Sequence, residues 1–153
     1  MSDESKANGG FDLAQFDSIQ GLQEEGIDVA IKGPDGKTDL GFSIRVAGPD
    51  STRQKAAILK LRDERLESDD ITPLSSEQIT ERQLRGLAMS IISWTPFKLD
   101  GVEPRFSEGA AMKLFKRFPW IREQVETKAG SRLAFLKPSK PDASEQLSAG
   151  SEG

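Results

Sequence analysis

Residues 26–48 read GIDVAIKGPDGKTDLGFSIRVAG, and the fold class follows from this stretch. Ile27, Val29 and Ile31 alternate with Asp28, Ala30 and Lys32; after a break, Leu40, Phe42, Ile44 and Val46 alternate with polar or small residues. Successive side chains of a strand point to opposite faces, so each apolar set shares one face. GPDG at 33–36 supplies a proline for a turn and glycines for permissive dihedrals. The spacing predicts a β-hairpin with one apolar face. Two strands alone are marginally stable, so that face needs a cover, and the helical patterns downstream supply it.

Asp50 is expected to cap a helix in DSTRQKAAILKLRDERLES (50–68), with Ala57, Ile58, Leu61 and Leu66 as its apolar stripe. Its charges alternate in sign, which reads as a solvated face. SDDITPLS (68–75) is a linker, and Ser75 with Gln78 fits a capping box for the next helix. Leu84, Leu87, Ala88, Ile91 and Ile92 recur at the spacing of a buried stripe. GLAMSIISW (86–94) is apolar nearly all round, so a central helix is expected to run until Pro96 stops it at or before Thr95, with Met89 and Trp94 in the core. FKLDGVEPRFSEG (97–109) predicts a short extended piece and a tight bend at Asp100-Gly101, pinned by Val102 and Phe106. Ser107 caps a helix with Ala111, Met112, Leu114 and Phe115 inward, and Pro119 starts another. That last helix carries the stripe Ile121, Val125, Ala129, Leu133 and Leu136, closed by Pro138 and Pro141.

The ends read differently. From Met1 to Glu25 there are six acids and one lysine, and the first ten residues hold only Met1 and Ala7 as apolar groups. Such a segment does not repay its ordering entropy by burial. The expected organisation is a flexible acidic leader at 1–25, one folded domain at 26–136 and a disordered tail at 137–153. Phe11, Phe16, Ile19 and Leu22 mark a weak helix or docking peptide within the leader. The expected fold is α+β and mainly helical: an N-terminal β-hairpin packed on roughly four helices, with disordered termini.

Composition narrows the function. The chain has no Cys and no His. That removes thiol nucleophiles, imidazole bases and the ordinary zinc and haem ligand sets, while leaving carboxylate chemistry open. GPDGK does not match a phosphate loop, since its glycines at 33 and 36 stand too close together, and a hairpin turn explains it fully. Ser51 and Lys55 stand one position too far apart for a serine-lysine nucleophile. Asp69 and Asp70 are adjacent carboxylates, but nothing at calcium-loop spacing follows them. No catalytic, cofactor-binding or metal-binding residue is nominated, and a non-enzymatic binding protein is the expectation. No apolar run approaches a membrane span, and no basic start with an apolar core marks a secretion signal. At a formal net charge of −4 the molecule is no general nucleic-acid binder, although a DNA-binding regulator stays as a minor reading.

Charge is uneven: Ser107 to Lys137 carries seven basic and three acidic residues. The same region contains FKRFPWI (115–121), with more aromatics than one helix stripe buries. Aromatic side chains beside positive charge suit a protein-binding surface. Lys113, Phe115, Lys116, Arg117, Phe118, Trp120 and Arg122 are the candidate contact residues, although packing in a small helical core accounts for aromatics equally.

The stretch LRGLAMSIISWTPFKLDGVEPRFSEGAAMKLFKRFPWIREQVETKAGSRLAFL (84–136) resembles the tail assembly chaperones of long, non-contractile-tailed bacteriophages. The pattern runs from a helix ending in Ser93-Trp94, through Phe97, Leu99, Asp100 and Gly101, to Phe106-Ser107. It continues with a Leu114-containing helix, then Pro119-Trp120-Ile121 and Gln124-Val125. Upstream, FSIRVAGPDSTRQKAAILKLRDERL (42–66) is similar to the strand and charged helix that precede it in such proteins. The resemblance implies a viral protein of the host cytoplasm, absent from the finished virion. Its partners would be the tape-measure protein and the major tail tube protein, with self-association left open. It implies no cofactor, and no residue is carried over as catalytic or binding. Related genes often yield a longer frameshifted product. A structural tail or head-tail component retained in the virion is the alternative reading.

Overall fold

The computed structural model describes residues 12–136. Strands β1 (Ile27–Lys32) and β2 (Asp39–Val46) form the expected hairpin, with Ile27 opposite Val46 and Val29 opposite Ile44. Its loop is built on Asp35, whose carboxylate accepts from the backbone N–H of Lys37 and Thr38 and from the Thr38 hydroxyl at 2.6–2.9 Å. These donors hold the Asp35 carboxyl down at about 2. Leu40 departs from the alternation and is largely exposed. The register shifts between Ala30 and Lys32, and Gly41 takes φ +82°, so the start of β2 turns Leu40 away from the core.

The sheet has a third strand that the apolar pattern disguised as helix. α3 (Ser76–Ser90) stops at Ser90, and Ile91–Trp94 forms β3, antiparallel to β2 with Ile44 opposite Trp94. A short apolar run does not distinguish buried helix from strand by periodicity. What decides is the open edge of β2: its backbone groups need partners, and the β-branched pair Ile91-Ile92 fits a pleated surface. The order is β1-β2-β3, and the apolar face carries Ile27, Val29, Ile31, Phe42, Ile44, Val46 and Ile91.

Four helices follow the hairpin, as expected. α2 (Thr52–Glu67) is capped by Ser51 rather than Asp50, because Asp50 spends its carboxylate on Gln23 and Arg132. α2 packs on α3 through Ala57 and Leu61, while Ile58 and Leu66 face outward. The positions that continue its inner stripe are polar: Gln54 donates to the carbonyls of Ala47 and Ala129, and Glu64 pairs with Arg85 of α3 at 2.6 Å. α3 opens with the Ser75–Gln78 capping box. α4 (Glu108–Arg117) is capped by Ser107, and α5 (Pro119–Ala129) begins at its proline. α5 ends at Gly130, and a short 3-10 turn at Leu133–Phe135 follows. That turn buries Phe135 and leaves the expected stripe members Leu133 and Leu136 exposed.

The folded body also starts earlier than expected. A 3-10 turn at Leu13–Phe16 leads into α1 (Asp17–Glu25), so the part of the leader nearest residue 26 is helical. Gln23 is fully buried; its side chain accepts the Asp50 backbone N–H and donates to the Asp50 carboxylate at 3.1 Å. Its carbonyl accepts from Gly48, and Glu24 accepts from both the backbone N–H and the hydroxyl of Thr52. A single buried amide, bonded through both its oxygen and its nitrogen, ties α1 to the loop entering α2. The rest of the leader, residues 1–11, and the expected tail at 137–153 lie outside the described residues.

Candidate functional site

The connection between β3 and α4 forms one wall of a groove. Trp94, half-buried at the end of β3, donates its indole N–H to the Pro104 carbonyl at 3.2 Å. Its ring stands edge-on to Phe97 at 5.0 Å and to Phe106 at 5.1 Å, and Phe97 lies 4.5 Å from Phe42 on β2. Asp100 and Gly101 make the predicted bend with φ of +55° and +82°, closed by a bridge between Leu99 and Val102. Arg117 at the end of α4 grips the bend through two bonds to the Asp100 carboxylate, 2.7 and 3.0 Å. This fork lowers the Asp100 pKa and raises that of Arg117.

Opposite that wall, the α4–α5 junction turns sharply at Phe118, whose ring meets Trp120 edge-on at 5.7 Å with Arg117 over its face at 5.2 Å. The space between is an open groove of about 280 Å³. Its floor is Phe42, Leu114 and Ile121, and its walls are Leu40, Pro96, Phe97, Leu99, Phe118 and Trp120. Lys98 is the charged residue on its lining.

The candidate contact residues divide. Phe118 and Trp120 are brought together at this groove, half-buried and accessible. Phe115 is 0 % exposed and sits in the core with Leu114 and Val125, so it meets a partner only if the domain opens. That corrects the expectation for Phe115: three positions before Phe118, it is buried on the side of α4 that packs against α3 and α5. The basic residues are largely neutralised by acids from elsewhere in the fold. Lys116 pairs with Glu81 of α3 at 3.0 Å, Arg117 with Asp100, and Arg132 with Asp50 at 2.6 Å. Arg122 lies 3.9 Å from both Glu123 and Glu126, with its buried Nε lacking a hydrogen bond. Lys113 is exposed and has no ion pair among the described residues. Among the described residues of that basic stretch, the positive bias therefore survives mainly at Lys113 and Lys128, with Lys98 beside the groove.

Leu40, Phe42, Phe97 and Leu99 line the groove and were not among the candidates. Leu40 and Phe42 were assigned to the hairpin's covered face, and Phe97 and Leu99 to a connecting piece. The signal that does mark them is the alternation Phe97-Leu99 beside the exposed turn, an extended segment with nowhere in its own neighbourhood to bury two apolar groups.

The chemistry of the site is apolar recognition: concave, aromatic-rich, with few polar groups. Among the described residues no cluster of three or more acidic side chains is placed to hold a metal ion, and no helix is long and apolar enough to cross a membrane. Comparisons with protein-family models, with curated proteins and with solved structures returned no match to this chain.

Proposed function

We propose that this protein is a non-catalytic tail assembly chaperone of a bacteriophage with a long, non-contractile tail, acting in the host cytoplasm. It covers apolar helical segments of the tape-measure protein and engages the major tail tube protein during assembly. One observation carries the binding half of this reading: the groove bounded by Phe97, Leu99, Phe118 and Trp120 leaves aromatic and aliphatic surface open to solvent. An amphipathic helix laid in such a groove buries its anchors at i, i+3 or i+4 and i+7 against it. The phage half rests on the resemblance over residues 84–136, and the groove walls come from that segment and from β2. The Arg117–Asp100 fork holds one wall rigid, which lowers the ordering cost of binding.

The experiment is a quantitative pull-down of tape-measure and tube proteins with the full chain, alongside Trp120→Ala and Phe118→Ala. Either substitution is expected to weaken tape-measure binding by roughly 2 kcal/mol, about thirtyfold in Kd. Circular dichroism melts run beside it separate an interface from a core. No binding by a folded parent chain refutes the reading, and equal losses of binding and stability return both residues to the core. Mass spectrometry of purified virions covers the alternative: presence at ring stoichiometry makes this a structural tail component instead.

A further inference from the structure

The outward face of α2 carries apolar surface that the domain does not use. Ile58 is 65 % exposed, Leu59 47 % and Leu66 69 %, and Ile71, in the turn that Arg65 holds through the Thr72 carbonyl, is 95 % exposed. Lys55, Leu59, Arg62 and Leu66 follow at spacings of four, three and four, so they form one helical stripe, with Ile58 and Asp63 on its two flanks. Ala57 and Leu61, the residues that meet α3, lie on the other side.

The charges along this helix are ordered. From Arg53 to Arg62 it holds four bases, Arg53, Lys55, Lys60 and Arg62, and no acid; from Asp63 to Asp70 the end of the helix and the turn beyond it hold Asp63, Glu64, Glu67, Asp69 and Asp70, with Arg65 the single base. A helix prefers the reverse, with acids near its N-terminus and bases near its C-terminus. α4 obeys that preference, with Glu108 in its first turn and Lys116 and Arg117 in its last; α2 has no acid of its own in its first turn. Glu24 of α1 supplies one there, whereas among the described residues the acidic far end pairs with a base of another element only through Arg85 on Glu64.

We propose that α2 is a homodimer interface, pairing antiparallel with α2 of a second copy about a twofold axis between Arg62 and Asp63. In that register Leu59 of each copy meets Leu66 of the other. Arg62 meets Asp63 in both directions, and Lys55 is brought toward the acidic end of the facing helix. One stripe thus satisfies both its apolar and its charged complement with a copy of itself, which is the requirement for an isologous contact. It lies on a different helix from the groove, so a dimer leaves both grooves free for the partner proposed above.

Sedimentation equilibrium of the full chain tests the idea. The parent is expected to dimerise. Leu66→Lys raises the dimer dissociation constant by about tenfold or more, with a melting curve unchanged at concentrations where both chains are monomeric, because Leu66 is exposed. Arg62→Asp alone and Asp63→Arg alone each weaken the dimer, since either puts like charges opposite in two places. The double variant Arg62→Asp/Asp63→Arg restores it. A parent that stays monomeric at high micromolar concentration overturns the proposal, as does a dimer indifferent to Leu66→Lys. A charge-swapped double variant no better than the single ones overturns the register.

Discussion

Replacing Gly26 by alanine tests how α1 is joined to the sheet. Gly26 is buried between α1 and β1 with φ 82° and ψ 178°, a backbone conformation that residues with a Cβ scarcely adopt. Holding alanine there costs about 1–3 kcal/mol. The new Cβ also stands 2.6 Å from the Val46 carbonyl oxygen and 2.7 Å from Cδ1 of Ile92. Ile92 can shift, but the Val46 carbonyl belongs to the residue paired with Ile27 on one side and Ile91 on the other, so moving it disturbs both ladders. Overpacking of this kind costs about 1–3 kcal/mol. The sum is about 2–6 kcal/mol, against roughly 5–15 kcal/mol for an ordinary domain's whole stability. At this chain length that is a fall in Tm of roughly 8–24 °C. Urea denaturation followed by circular dichroism measures it. Gly21→Ala is the control: Gly21 lies within α1 with nothing inside 4 Å of its added Cβ, and the exchange is expected to stabilise by about 0.5–1 kcal/mol. If Gly26→Ala unfolds within about 1 kcal/mol of the parent, with the same denaturant slope, then α1 does not enter the sheet through this contact and the reasoning fails.

Two further outcomes follow from the same physics. Phe115→Ala empties a fully buried site and is expected to cost about 3–5 kcal/mol in urea melts, clearly more than Phe118→Ala; equal losses would place Phe118 in the core as well. The Asp50 carboxyl is held at about 2, first by the Arg132 guanidinium and then by the Gln23 amide. A depressed carboxyl stabilises the fold above its ordinary pKa of 3.8, and that contribution is lost as pH falls from there through about 2. Asp50→Asn should therefore flatten the acid limb of stability between those pH values, and a limb identical to the parent's would remove Asp50 as its source.

Much of this molecule is written in local chemistry. The alternation of Ile27 to Ile31 and of Phe42 to Val46, the Ser75–Gln78 box, Ser107 as a cap and Pro119 as a helix start each act within a few residues of themselves. They read directly for that reason. The Asp100-Gly101 bend is equally local, because its φ values are demanded wherever the chain sits. Where reading failed, the deciding partner was distant. Ile91–Trp94 carries an apolar run that suits helix or strand, and only the unpaired edge of β2, more than forty residues upstream, makes it a strand. Gln23 is an ordinary polar residue of an acidic segment until Asp50 offers its backbone N–H as donor and its carboxylate as acceptor. Phe115 and Phe118 are chemically alike and three apart; the core beside α3 and α5 takes the first, and the groove opposite Phe97 leaves the second open. The basic character of α4 and α5 is present in the chain, yet Glu81, Asp100 and Asp50 arrive from three other places to neutralise it. Charge and backbone pairing act across space without regard to sequence separation, so the electrostatics of the candidate surface and the third strand emerge only when the chain has closed on itself.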